Sequence, residues 1–430
     1  MFEQLFKLRE HGTTARTELL AGVTTFLTMS YIIFVNPDIL ANTGMDKGAL
    51  FVATCVAAAI GCLIMAFVAN WPIGLAPSMG LNAYFAFTVV LGLHFTWQQA
   101  LGCVFISGVV FVIITITGIR EWLIDGIALS LRSGVVAGIG MFLGIIALVT
   151  SGIVVANKAT VVGMGDLTNI KTLYAILGFF IITALDAMRV RGAILLGILA
   201  ITLLSVITGQ VQFAGIVSMP PSIEPGFFKL DIMGALSQGF FHVIIVFVLV
   251  EIFDATGTMI GIATRAGLVT PQNPGRLGRA LLADSTAILA SSFLGTSSTT
   301  AYIESASGVQ AGGRTGMTAL IIAVLFLLAL FFSPIAAIVP SYATAPALLY
   351  VACLMLRELV NVKWDDITES VPAAIAAISM PLTYSIANGL AFGFISYVAI
   401  KALSGRFRDV HPAALLVAVL FVIKFAFFPD

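Results

Sequence analysis

Stretches of about twenty mostly apolar residues, following one another along almost the whole chain, restrict this sequence more than any other feature. A bilayer-spanning helix needs about that length. Sixty per cent of the 430 residues are hydrophobic, 10% are charged and the mean hydropathy is +1.08. A water-soluble core cannot absorb that much apolar sequence, and an all-α polytopic membrane protein requires it. The 21 basic and 21 acidic residues cancel, so no basic surplus suggests nucleic acid as a partner. The N-terminal segment MFEQLFKLREHGTTARTELL carries scattered charge with no small-residue cleavage site, and no removable signal peptide is expected. Cys55, Cys62, Cys103 and Cys353 lie in apolar runs without metal-site spacing and read as small core residues.

Measured by that length, the chain divides into about fourteen passages joined by short loops. The first, from about Leu19 to Val35, is expected to stop at Asn36-Pro37-Asp38. The third, WPIGLAPSMGLNAYFAFTVVLG, is broken by Pro72, Gly74, Pro77 and Gly80, and reads as an extended piece followed by a half-helix from about Asn82, capped by Ser78 or Asn82. GIREWLIDGIALSLRSG, after the fourth passage, reads as an interfacial amphipathic helix. The eighth passage is placed at about Phe240 to Ile260. The last apolar run, about Ala413 to Phe428, contains Lys424, and its sequence does not decide between a span and an interfacial segment.

Basic residues mark cytoplasmic loops. With the N-terminus inside, Lys7, Arg9, Arg16, Arg120, Arg132, Arg189 and Arg191 all fall on the cytoplasmic side. Seven passages later the eighth runs the opposite way and returns Arg265, Arg276, Arg279 and then Arg314 to that side. The topology therefore inverts halfway. The residues hint at the same repeat: Ala83-Tyr84 and Ala301-Tyr302 share a dipeptide at 302 − 84 = 218, an offset that also lays Asn36 on Asp254. The second of these dipeptides lies in GTSSTTAYIESASGVQAGGRTG, Gly295 to Gly316, a polar stretch between two oily runs. Two broken passages at corresponding places in inverted halves point to a transporter's midplane binding site, since irregular backbone survives at that depth only against protein or a water-filled cavity.

Acids at membrane depth are few and cost several kcal/mol each unless something offsets them. Glu304 lies in the polar stretch. Glu251 and Asp254, three apart in VEIFDATGT, share one helix face, where two like charges are unfavourable unless one is protonated or a ligand donates to them. Asp284 has no base beside it in the ninth passage and is left open between a structural hydrogen bond to the polar stretch and a part in proton coupling. Asn82 is either a helix cap or a binding residue, and its position favours binding. Carboxylates, an amide and aromatic neighbours (Tyr84, Phe85, Phe253, Tyr302) suit a flat, neutral molecule with several N–H donors, such as a nucleobase. A desolvated carboxylate can also take a proton on one side and lose it on the other, and no cofactor beyond that coupling ion is expected.

The motifs AGVTTFLTMSYIIFVNP, GLAPSMGLNAYFAF, EIFDATGT, LLADS and the polar stretch together resemble the AzgA-like purine permeases of the nucleobase/ascorbate transporter superfamily over nearly the full length. That resemblance implies a 7+7 inverted repeat with short antiparallel strands in passages three and ten. It implies a core domain from residues 1–118 and 233–336, and a gate domain from 119–232 and 337–430. Also implied are proton symport of a purine, guanine or hypoxanthine ahead of adenine, by elevator-type or rocking alternating access, and often a homodimer through the gate domains. The binding residues it indicates are Asn82, Ala83, Tyr84, Glu251, Phe253, Asp254, Ala301, Tyr302, Ile303 and Glu304, with Asp284 structural or proton-coupling. The setting is the cell inner (plasma) membrane. Glu251 stands where the family often has Asp, which leaves the choice among purines open.

Two rival readings remain. An inorganic-anion exchanger of the same architecture would want positive charge at the half-helices, yet no Lys or Arg lies between Trp71 and Gly92 or between Phe293 and Ala311. A membrane-embedded enzyme lacks its motifs: there is no HExxH or GxSxG, and His11, His94, His242 and His411 are scattered.

Overall fold

The computed structural model describes residues 2–237, 241–268 and 276–427. Phe240 and Phe428, expected at passage edges, lie outside the described residues, as do the side chains of His242 and Arg265. The first half begins with α1 (Phe2–Phe6), α2 (Ala15–Met29), α3 (Ile32–Ala41) and α4 (Lys47–Ile64), which continues as a π-helical turn at Met65–Ala69. Thr14 starts α2 by accepting from the Thr17 amide, and Asp46 starts α4 by accepting from Ala49. The third passage is broken: β1 (Leu75–Pro77) leads into α5 (Met79–Ala83) and a π-helical stretch, Tyr84–Gly92. Then come α6 (Trp97–Ile116), opened by a Thr96–Gln99 capping box, α7 (Ile119–Asp125) and α8 (Leu129–Thr150). A hairpin of β2 (Val154–Asn157) and β3 (Val161–Met164), which the sequence did not announce, precedes α9 (Ile170–Ala187) and α10 (Ala193–Ile207).

The second half repeats the plan. After α11 (Ile232–Ser237) come α12 (Phe241–Arg265) and α13 (Leu277–Leu294), then β4 (Thr299–Ala301) and α14 (Ser305–Gln310). The chain closes with α15 (Gly316–Ala329), α16 (Ser333–Ile338), α17 (Ser341–Met355), α18 (Ile367–Leu382), α19 (Ile386–Leu403) and α20 (Pro412–Phe427). Among the described residues ten helical spans are long and apolar enough to cross a bilayer, accompanied by four shorter apolar helices. The chain is a multi-pass membrane protein. Its closing helix is one of the short ones and packs on α19, with the Lys424 ammonium 4.8 Å from the Phe425 ring centroid.

At the centre β1 pairs antiparallel with β4, Leu75 opposite Ala301 and Pro77 opposite Thr299. Three residues a side give the ladder few bonds of its own, so neighbours complete it: Leu75 N–H donates to Cys62 Sγ at 3.2 Å, and Ser78 N–H to the Ser298 carbonyl at 2.8 Å. Around the pair α2, α4, α6, α12, α13, α14 and α15 pack on one another. A second group forms where α8 packs against α17 and α18, and α9 against α10 and α17. Glycine allows the close approach at α8: a Cβ on Gly134 would stand 2.5 Å from the Ala373 carbonyl of α18.

Three expectations need correcting. Asn36-Pro37-Asp38 does not end the first passage, because α3 runs through it to Ala41 and the interruption falls earlier, at Ser30 and Tyr31. The polar groups continue inside the helix because partners meet them: Asn36 Nδ2 donates to Thr54 (2.7 Å) and Thr296 (2.9 Å), and Asp38 accepts from Thr344 (2.7 Å) and Lys47 (3.2 Å). Cys353 is exposed rather than a core residue. The offset of 218 matches a helical residue, Asn82, with a strand residue, Thr300. An offset of 226 instead lays the starts of the two half-helices on each other: Ser78, before α5, falls on Glu304, before α14 (78 + 226).

Candidate functional site

The site is assembled where α12 crosses the two broken passages, packing against β4, α5 and α14. Glu251 and Asp254 stand one turn apart on α12. Glu251 is 1% exposed, and among the described residues neither of its oxygens has a hydrogen-bond partner. Asp254 is half-buried and accepts from Ser78 Oγ at 2.9 Å. That hydroxyl sits at the N-cap position of α5 but caps nothing, and reaches instead across to the other repeat. Glu304 occupies the matching place before α14, half-buried, and accepts from the Tyr31 hydroxyl at 2.7 Å through Oε1. Each half-helix therefore begins beside a polar side chain held by the first helix of the opposite repeat. Asp254 and Glu304 each accept from one hydroxyl of the opposite repeat, whereas Glu251 accepts from none among the described residues.

The other expected residues take several roles. Asn82 is fully buried in the middle of α5 and does not cap it; its Oδ1 accepts from Ser297 Oγ, and its Nδ2 has no partner among the described residues. Ala83 and Ala301 are buried backbone-packing positions. Tyr84 packs edge-on against Phe247 of α12 at 4.9 Å. Tyr302 fastens the strand pair, its hydroxyl donating to the Pro77 carbonyl at 2.6 Å. Phe253 stacks on Phe394 of α19 at 6.1 Å, so it meets the second helix group. Ile303, beside Glu304, is 58% exposed. A cavity of about 160 Å³ lies further along the same two helices, lined by Ile262, Ala306, Val309, Gln310 and Arg314. Its Ile262 is two turns, ~12 Å, beyond Asp254.

Asp284 has the partner that its own helix lacks. Arg120 of α7 approaches it at 3.3 Å, and Thr300 Oγ1 of β4 donates to its other oxygen at 3.2 Å. The rest of the guanidinium donates to Thr256 Oγ1 of α12 (3.0 Å) and the Leu281 carbonyl of α13 (3.3 Å), and lies 4.3 Å over the Phe111 ring. Arg120 was expected in a cytoplasmic loop and is 1% exposed instead. Sequence reasoning also passed over Tyr31, Thr28 and Ser307. The signal was present in TTFLTMSY, a run of hydroxyls in an otherwise apolar helix, with Thr25, Thr28 and Tyr31 spaced to share one face.

The sequence pattern of a permease family matches residues 16–392. The adenine permease AdeP of Escherichia coli (strain K12) is 49% identical over 428 residues, covering 99% of this chain and 96% of its own length. The guanine/hypoxanthine permease PbuO of Bacillus subtilis (strain 168) is 42% identical over 429 residues, covering 98% and 99%. Among solved structures, the transmembrane domain of the cyanobacterium bicarbonate transporter BicA aligns with a TM-score of 0.66 at 16% identity, over 88% of this chain and 97% of that one. This last likeness concerns the fold alone, that of an inverted repeat.

Proposed function

The chain belongs to the permease family, and from that premise we propose that it carries purine nucleobases across the membrane, adenine first among them, coupled to protons. The observation that carries this reading is the group of acids at the strand crossing. Asp254 and Glu304 keep acceptor capacity beside their single hydroxyl donors, and Glu251 has no donor at all among the described residues. A buried carboxylate in that condition is met by a proton or by a ligand's N–H group. A purine presents ring and exocyclic N–H donors on a flat apolar body, and both needs are answered together. Adenine stands ahead of guanine and hypoxanthine because the full-length identity to AdeP exceeds that to PbuO.

In this reading Glu251, Asp254, Glu304, Asn82, Ala83, Tyr84, Phe253, Ala301, Tyr302 and Ile303 form the binding region, and Asp284 is structural, held by Arg120. The helix group around the strand pair is the moving core, residues 1–118 and 233–336. The group around α8 and α17 is the gate, which would also supply a homodimer contact. Movement of one group past the other gives alternating access. The N-terminus lies in the cytoplasm, the membrane being the cell's inner one. In support, the His11–Arg276 contact (3.2 Å) and the bond from the Arg314 amide to Glu18 (2.8 Å) gather basic loops at the N-terminal end. An anion exchanger is not favoured: the guanidinium that enters the core, Arg120, is already matched by Asp284.

The test is uptake of radiolabelled adenine by a transport-deficient host, with unlabelled hypoxanthine, guanine and uracil as competitors. Adenine uptake is expected, reduced by the purines more than by uracil. Glu304→Gln should abolish it while the protein stays in the membrane. No purine taken up above background, or full uptake by the Gln variant, would contradict the assignment.

A further inference from the structure

The break between α2 and α3 presents a side chain that the function above does not use. The Ser30 amide closes α2 on the Phe26 carbonyl at 2.8 Å, α3 restarts at Ile32, and Tyr31 stands between them, fully buried. Its hydroxyl donates to Glu304 Oε1 at 2.7 Å, and among the described residues no other side chain bonds that carboxylate. One turn earlier Thr28 shares a 3.1 Å hydrogen bond with Ser307, whose Oγ donates to the Glu304 carbonyl at 2.7 Å. Gly308 lets α14 lie directly on α2, since a Cβ there would run into Thr25 Oγ1. The turn that carries Glu304 is thus gripped twice by the first helix of the other repeat.

We infer that Tyr31 is a positioning residue for the ligand: by occupying Oε1 it fixes the plane of the Glu304 carboxylate and leaves Oε2 as the oxygen that accepts a purine N–H. This rests on the reading of Glu304 as a ligand-binding acid. The repeat supports it. At the offset of 226, Thr25 falls on Glu251, Thr28 on Asp254 and Tyr31 on Gly257, so one repeat supplies hydroxyl donors where the other supplies acids. A Cβ on Gly257 would meet nothing within 4 Å, so the place that Tyr31 fills in one half stands open in the other. A ring can enter on the α12 side while Tyr31 closes the α2 side.

Tyr31→Phe keeps the ring in its slot and removes only the donor. Hydrogen bonds to charged groups are worth roughly tenfold or more in affinity, so KM for adenine should rise about tenfold while the maximal rate stays within about twofold. Competition by methylated adenines separates positioning from a structural role. In the parent, the analogue methylated at the N–H that Glu304 accepts binds poorly, and in Y31F that analogue should lose little more. An unchanged KM, or the same fold-loss for every analogue, overturns the inference. Should Y31F fail to reach the membrane, Ser307→Ala, which cuts the second grip, should raise KM by about threefold, and an unchanged KM there would equally overturn it. Should Glu304→Gln transport normally, the reading of Glu304 fails instead, which is a separate result.

Discussion

A guanidinium withdrawn from water costs several kcal/mol, and Arg120, at 1% exposure, is held there by Asp284, Thr256, the Leu281 carbonyl and the Phe111 ring. Removing one member of such a pair strands the other. Arg120→Ala should leave Asp284 buried and unpaired, at a cost of about 3–5 kcal/mol, seen as a fall in the thermal midpoint of the detergent-purified protein. Adding Asp284→Asn to that variant should recover most of the loss; no fall in the single variant would show that the pair does not hold the linker to the core. Glu304, Asp254 and Glu251 were legible in the sequence because a carboxylate in oil has few innocent explanations. Arg120 was not, because in a stretch of mixed polarity an arginine reads as interfacial, and sequence alone does not say which way its long side chain turns. Tyr31 was hidden for the opposite reason: a tyrosine in an apolar run reads as core until its hydroxyl is seen to have an acid as partner.

Among elements, Pro72, Gly74, Pro77 and Gly80 announced the broken third passage, and small and hydroxyl residues the tenth. The pairing of β1 with β4 was accessible only through family resemblance, since a three-residue strand is too short to show a period. Pro37 misled because α3 is packed among other segments, where Thr54, Thr296, Thr344 and Lys47 meet the polar side chains of Asn36 and Asp38 on either side of the proline. Asp366 begins α18 by accepting from the Thr368 amide at 3.0 Å, and Arg406 binds its carboxylate at 2.9 Å. The Thr368 hydroxyl first, and Arg406 after it, hold its pKa down at about 2, against about 4 for an ordinary aspartate. A depressed folded-state value stabilises above the ordinary one and is lost as pH falls towards the lower. Asp366→Ala should therefore lower the thermal midpoint at neutral pH, and the gap between variant and parent should close between about pH 4 and pH 2. A gap that persists unchanged at the acid end would mean the carboxylate's charge is not what holds this corner.

At the scale of the whole molecule, the inversion was readable from the placement of basic residues, while the register of the repeat was not. A shared Ala-Tyr suggested 218; the starts of the two half-helices give 226, because the two halves kept their architecture while their residues diverged into hydroxyls on α2 and acids on α12. That divergence is the centre of the account. A symmetric frame holds an asymmetric set of donors and acceptors, which suits a neutral base that brings its own N–H groups and a proton that travels with it. Accumulation of labelled adenine in proteoliposomes of the purified protein, with the outside made acid relative to the lumen, tests this most directly. The account predicts accumulation above the external concentration that vanishes when a protonophore collapses the gradient. Adenine entering equally with and without the gradient would contradict it.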